Sequence, residues 1–297
     1  MQLKELSTER RNRATQNLDQ MSALEIVTTM NREDIAVPRA IRKVLPAIAQ
    51  AVDRVAECFA KGGRLIYVGS GTSGRIGALD ASEALPTFGS GPGMVQFLIA
   101  GGEKALIRPT EASEDSVELG RSDMARKKPG KRDVVVGIAA SGITPYTISA
   151  LQFARSKGAE TIAIACNRNS PLGDAADIRI EVEVGPEVLT GSSRLKAGTA
   201  QKLICNMLTT GAMAKMGYVY GNLMVNLHLK NNKLLHRGVL ILESLVGIDS
   251  ETAMETLKKA GMSVPLALII LKRQVSKSEA ARRLRKAKGN VRTAIEG

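Results

Sequence analysis

Leu65-Ile-Tyr-Val-Gly-Ser-Gly-Thr-Ser-Gly74 is the stretch that decides the fold. Leu65 to Val68 is a short apolar run that reads as a buried strand. The glycine-rich turn behind it leads into a helix. Further apolar runs of strand length follow at Met94 to Ile99, Asp133 to Ile138, Thr161 to Cys166 and Ile178 to Val184. Helical segments at ~113–127, ~144–157 and ~195–215 separate most of these runs or follow the last of them. Apolar strands joined by helical crossovers make a parallel sheet covered on both faces. The expected fold is therefore α/β, a three-layer αβα sandwich on a five-stranded parallel sheet. Ligands of such sheets bind at the carboxyl ends of the strands.

Around this centre lie two helical regions. Ser22-Ala-Leu-Glu25 has the form of a capping box, and apolar residues recur at helical spacing from Val37 to Phe59, ended by Gly62-Gly63. At the other end, Ala253–Leu257, Pro265–Leu271 and Ser276–Leu284 read as short helices, with Lys288-Gly289-Asn290 turning into a last one. They resemble a ubiquitin-associated-like three-helix module. The expected segments are a helical lead-in at 1–50, a ligand-binding domain at 51–235 and a helical module at 236–297.

Composition narrows the function classes. Hydrophobic residues make up 44% of the chain, enough for a real core and too many for disorder. The polar start, MQLKELSTERRNR, lacks the apolar segment of a signal peptide, and Val264 to Leu271 is too short to span a bilayer. Cys58, Cys166 and Cys205 form no CxxC pair, and the only histidines are His228 and His236. Neither a disulfide framework nor a metal site is expected, and the cytoplasm is the expected location. The net charge of +13 invites a nucleic-acid partner. Much of the excess, however, lies from Lys272 onward as a solvated helix face, and with no tryptophan and 3% aromatics base stacking is poorly served. Nucleic acid and membrane are therefore disfavoured as partners.

The loops carry the chemistry. Ser70, Thr72 and Ser73 in the first turn can donate hydroxyl and backbone N–H groups to phosphate oxygens. No Gly-Lys-Ser/Thr follows, so the turn is not a P-loop. Ala140-Ser-Gly-Ile-Thr-Pro145 repeats the arrangement after the third strand, with Ser141 and Thr144 beside a helix start and Pro145 suited to a first helical position. Two such turns on one sheet edge make a cup for a phosphorylated small molecule. A third element, Gly185 to Thr199, places Glu187, Ser192, Ser193, Arg194 and Lys196 ahead of a long helix. Glu187, Ser192 and Lys196 join the candidate binding set, while Lys196 and Arg194 could equally pair with Glu187.

The two hydroxyl-lined loops resemble the SIS (sugar isomerase) domain. GlySerGlyThrSerGlyArg at 69–75, LeuAspAlaSerGlu at 79–83, ProThrPheGly at 86–89, GlyIleAlaAlaSerGly at 137–142, the Gly185 to Lys202 element and TyrGlyAsnLeuMetVal at 220–225 resemble the N-acetylmuramic acid 6-phosphate etherases. Thr8-Glu9-Arg10 with Arg11-Asn12 extends the match toward the start. The Gly185 element is shared with glucokinase regulatory protein, a non-catalytic relative. The activity therefore rests on LeuAspAlaSerGlu and on Glu-Ala-Ser-Glu-Asp at 111–115. Ala84-Leu85 stands where the family usually has Cys-Pro, Ile143 where arginine is common, and Asn226 where aspartate is frequent.

The resemblance implies cleavage of the lactyl ether of a phosphorylated amino sugar, with Glu83 and Glu114 as catalytic carboxyl groups, no cofactor, and a homodimer as the working form. Read without it, Glu83 is a helix-surface carboxylate and Glu114 a first-turn acid placed by the helix dipole. His236 and Lys233 could reach a neighbouring subunit's site. A sugar-phosphate isomerase and a non-catalytic sugar-phosphate sensor are the rival readings.

Overall fold

A computed structural model describes residues 6–108 and 113–297. Glu111 and Ala112 of the 111–115 segment lie outside the described residues. The chain divides into two compact units, Met1–Ala81 with Gly93–Thr209, and Ser82–Pro92 with Thr210–Gly297.

In the first unit, the sheet is built from β1 (Leu65–Gly69), β2 (Val95–Ile99), β3 (Val134–Ala139), β4 (Glu160–Ala165) and β5 (Ile178–Glu181). All neighbours are parallel, in the order β2-β1-β3-β4-β5. Gly69 is level with Ile99 on one side and Ile138 on the other, so the loops leaving these strands gather at one edge. The helices of this unit are α1 (Ala23–Asp34), α2 (Ala36–Arg42), α3 (Leu45–Ala60), α4 (Gly71–Phe88), α5 (Val117–Lys127), α6 (Pro145–Ser156), α7 (Pro171–Asp174) and α8 (Lys196–Lys215), with the unit boundary falling inside α4 and α8.

One face of the sheet, carrying Ile66, Val68, Val135 and Ala163, packs on Met124 of α5, Tyr146, Ala150 and Leu151 of α6, and Leu172 of α7. The other face meets α4 and α8. Gly77 of α4 lies against Tyr67, and the Tyr67 hydroxyl donates to Asp80 of α4 at 2.8 Å and to the Cys205 carbonyl of α8 at 3.4 Å. The three layers expected from the sequence are present. Gly74 fixes how closely α4 approaches: a Cβ there would stand 2.6 Å from Ile99 Cγ1 and 2.8 Å from the Gly69 carbonyl oxygen.

Two helix boundaries differ from the sequence reading. The run from Val37 to Phe59 is two helices, α2 and α3, parted at Lys43-Val44. Pro46, at the start of α3, has no N–H to give to a preceding carbonyl, so a continuous ladder breaks there. The segment expected to be helical from ~113 starts instead at Val117, because Ser116 accepts a hydrogen bond from the Leu119 N–H as N-cap. Glu114 is therefore a loop residue, not a first-turn acid. The capping box at Ser22 and Glu25 forms as expected.

The second unit gathers α9 (Asn232–Val246), α10 (Ser250–Lys259), α11 (Val264–Arg273), α12 (Lys277–Lys286) and α13 (Val291–Glu296). Asn231, Asp249, Ser263, Ser276 and Asn290 cap them in turn, each accepting from a backbone N–H three residues on. Leu242, Leu257, Val264, Leu268 and Val291 form their common core. Helix α9 runs across position 235/236, where the sequence reading starts its C-terminal module. Among the described residues, no helix is long and apolar enough to cross a membrane.

Candidate active site

The strand order reverses between β1 and β3, since the chain goes from β1 outward to β2 and returns on the other side. A crevice opens outside the carboxyl ends at such a point. Here it is a cup of about 590 Å³. Ser70, Thr72 and Ser73 come from the turn after β1 and the first turn of α4. Ser141 and Thr144 come from the loop after β3, and all five line the cup. Helix α4 starts at Gly71, so Thr72 and Ser73 sit among the free N–H groups of a helix N-terminus, where an anion is favoured.

Glu114 joins the two loops. Its Oε2 accepts from Ser70 Oγ at 3.1 Å, and its Oε1 accepts from Thr144 Oγ1 at 3.2 Å. Its backbone carbonyl accepts from the Tyr146 N–H at 3.1 Å, which fixes the segment to the start of α6. Thr144 is the N-cap residue of α6, yet its hydroxyl makes no capping bond and is turned to the carboxylate instead. A half-buried carboxylate held by two hydroxyls in a hydroxyl-lined cup is well placed to exchange a proton with a ligand.

Thr8, Glu9, Arg75, Asp115, Ile143 and Ser193 also line the cup. Arg75 is its single basic side chain among the described residues. Its guanidinium donates to the carbonyls of Leu106 at 3.0 Å and Ala105 at 2.7 Å. Thr8 and Glu9 arrive on an N-terminal arm that coils there into a single 3-10 turn, Ser7–Glu9, and is tied down by Asn167. The Asn167 Oδ1 accepts from the Ser7 N–H at 2.7 Å. Its Nδ2 donates to Thr8 Oγ1 at 3.2 Å and to the Ala140 carbonyl at 3.1 Å. The sequence alone does not place Thr8, Glu9, Arg75 or Asp115 in the cup. Thr8, Glu9 and Arg75 do fall within segments that carry the family resemblance, which was the signal at hand.

The remaining expected residues are elsewhere. Glu187 is fully buried and caps α8, its two carboxylate oxygens accepting from the N–H groups of Lys196 at 3.0 Å and Ala197 at 2.9 Å. Burial pushes its carboxyl above the ordinary range, and these two N–H donors act in the opposite direction. Lys196 turns its ammonium to Glu33 of α1 at 3.0 Å. Burial raises Glu33, but the hydrogen bonds from Lys196 and Asn12 outweigh it and hold the carboxyl below its usual value. Neither Glu187, Lys196 nor Ser192 lines the cup, whereas the neighbouring Ser193 does. Glu83 is an exposed residue of α4 in the second unit and is not among the lining residues.

Comparisons with known proteins agree with this architecture. Residues 47–155 match the glucokinase regulatory protein N-terminal SIS domain, and residues 118–211 match the SIS domain. A phosphoheptose isomerase structure from Francisella tularensis superposes with a TM-score of 0.53 at 21% identity, covering 65% of this chain and 100% of that one. That likeness is one of fold. The curated relatives are nearer. An N-acetylmuramic acid 6-phosphate etherase of Clostridium beijerinckii is 48% identical over 296 residues, covering 100% of this chain and 97% of its own. Another, from an Exiguobacterium species, is 50% identical over 293 residues, covering 99% of this chain and 100% of its own. Identity at this level along the full length goes well beyond a shared fold, and the chain belongs to the N-acetylmuramic acid 6-phosphate etherase family.

Proposed function

We propose that this protein is a carbon–oxygen lyase that releases D-lactate from N-acetylmuramic acid 6-phosphate, leaving N-acetylglucosamine 6-phosphate. The observation that carries the reading is near-50% identity to etherases along the whole chain, with Glu114 held in a hydroxyl-lined cup.

The chemistry follows from the substrate. In the ring-opened sugar, the C1 aldehyde acidifies the C2 proton and the ether oxygen stands β to the carbonyl. A base takes the C2 proton, an acid protonates the departing lactate oxygen, and water adds to the unsaturated aldehyde. Carboxyl groups suffice for these transfers. Ser70, Thr72, Ser73, Ser141 and Thr144 would hold the phosphate, Ser70 and Thr144 by turning their hydroxyl protons from Glu114 to the ligand, aided by the start of α4 and by Arg75. Glu83 is the main acid/base in this scheme, and Glu114 assists ring opening, base action or water placement. Glu187 and Lys196 would serve the binding set indirectly, by fixing the start of α8. The family resemblance supports a homodimer as the working form.

The test is incubation with N-acetylmuramic acid 6-phosphate and enzymatic assay of D-lactate, which should appear in step with N-acetylglucosamine 6-phosphate. Aldose–ketose conversion of hexose phosphates without lactate would replace the etherase reading with an isomerase.

A further inference from the structure

Ser73 does not face the cup alone. Its hydroxyl donates to Gln201 Oε1 of α8 at 3.0 Å. Gln201 is fully buried, and its other amide atom, Nε2, is buried without a hydrogen-bond partner. An unanswered amide donor away from water is costly, and buried side-chain polar atoms in folded proteins nearly always have a partner. The arrangement also commits the Ser73 proton inward. Only oxygen lone pairs are then left to face a ligand, which is the wrong polarity for a phosphate dianion that accepts hydrogen bonds and donates none.

A half-turn of the amide about its last side-chain bond reverses both facts. Nε2 then donates to Ser73 Oγ, the orphaned donor gains a partner, and the Ser73 proton is freed to point into the cup. The atom left without a partner becomes a carbonyl oxygen, and an under-satisfied acceptor is the more readily tolerated of the two. Glutamine can answer Ser73 with either polarity. Glutamate, when ionised, can only accept, and methionine of similar shape does neither.

We propose that Gln201 is a positioning residue that sets the hydrogen-bond polarity of Ser73, turning its amide so that Ser73 donates to the phosphate of the bound sugar. This rests on the reading of the cup as a phosphosugar site. It concerns the ligand-binding step and leaves the proton transfers to the carboxylates.

Calorimetric binding of N-acetylglucosamine 6-phosphate, with unphosphorylated N-acetylglucosamine as control, tests it alongside steady-state kinetics. Gln201→Glu should weaken sugar-phosphate binding and raise KM by about ten- to hundredfold, the loss of one hydrogen bond to a charged group. Its kcat at saturation should stay within about threefold, since the loss is in uniform binding. Gln201→Met removes the amide that turns the Ser73 proton outward but puts no obligatory acceptor in its place, so it should weaken binding by less than Gln201→Glu, about three- to tenfold. In a Ser73→Ala background, Gln201→Glu should add no further loss. Equal weakening in Gln201→Glu and Gln201→Met, or a Gln201→Glu protein that binds normally, overturns the proposal. Should Gln201→Glu fail to fold, a folded Gln201→Met protein more than tenfold weaker than the parent overturns it too. A parent protein that ignores both sugars refutes instead the reading of the cup, and the role of Gln201 with it.

Discussion

Replacing Glu33 by glutamine should destabilise the protein by about 3 kcal/mol, because it strands a buried cation. The Lys196 side chain is 3% exposed and lies 3.0 Å from a Glu33 carboxylate that is 24% exposed. At that separation and an effective dielectric constant near 20, the attraction is roughly 5 kcal/mol before desolvation. Removing one partner of a fully buried pair costs about 3–5 kcal/mol, and the partial exposure of Glu33 places this case at the lower end. At about 2–4 °C per kcal/mol for a domain of this size, the melting temperature of Glu33→Gln should fall by roughly 6–12 °C.

The companion variant separates charge from shape. Lys196→Met removes the cation and keeps its length, so it should cost about 1–2 kcal/mol. In the double variant, Glu33→Gln should add almost nothing. The effect has a pH signature as well. Glu33 is held below its ordinary value, so its contribution is present above pH 4.5 and fades as the pH drops through the lower native value. Urea titrations of the four proteins at two pH values make the measurement. A loss below about 1 kcal/mol for Glu33→Gln, or a loss that Lys196→Met does not relieve, would refute the reasoning. So would a stable Lys196→Met protein with impaired sugar-phosphate binding, which would make Lys196 a ligand contact.

Glu114→Gln keeps an oxygen for Ser70 or Thr144 and should fold normally, while lactate release falls by about 10²-fold or more; Glu83→Gln should do the same, and near-normal release from either removes that carboxyl from the mechanism. Gly74→Ala inserts a methyl against Ile99 and the Gly69 carbonyl. It should cost roughly 1–3 kcal/mol by thermal melting and raise KM as α4 lifts from the sheet. Burial raises the carboxyl of Asp80 against the hydrogen bonds of Tyr67, Asn206 and Thr209. Its stabilising contribution is therefore complete below pH 3.8 and is lost as the pH rises through the native value. Measured against Asp80→Asn, the parent's advantage should shrink with rising pH, and a constant difference would contradict this.

The sheet was legible because its strands are short apolar runs separated by glycine, proline and helical stretches, each a local signal. The two hydroxyl loops were legible for the same reason, as each sits directly behind a strand. What local signals could not carry was partnership over distance. Lys196 meets Glu33 across 163 positions and Asn167 meets Ser7 across 160. Nothing in either neighbourhood names the other, so the sequence offers Lys196 as a candidate ligand contact and gives Thr8 and Glu9 as part of the family match without placing them at the cup. Glu114 was found through its resemblance and misplaced by one helical turn, because Ser116 competes as a cap a few residues on. The break between α2 and α3 was written in Pro46 and was overridden by the regular apolar spacing on either side of it.

The stitching of the arm by Asn167 has a consequence for the order of events during synthesis. Ser7 is made 160 residues before its partner. At about 5–20 residues per second, that interval is roughly 8–30 s. During it, β1, β2 and β3 can emerge and begin to pair, while the arm that carries Leu6, buried in the finished protein, still lacks its Asn167 anchor. Thr8 and Glu9 reach the rim only when β4 and the residues after it have been added. Competence to hold a ligand is thus a late event in the life of each molecule, timed by distance along the chain rather than by the strength of any one contact.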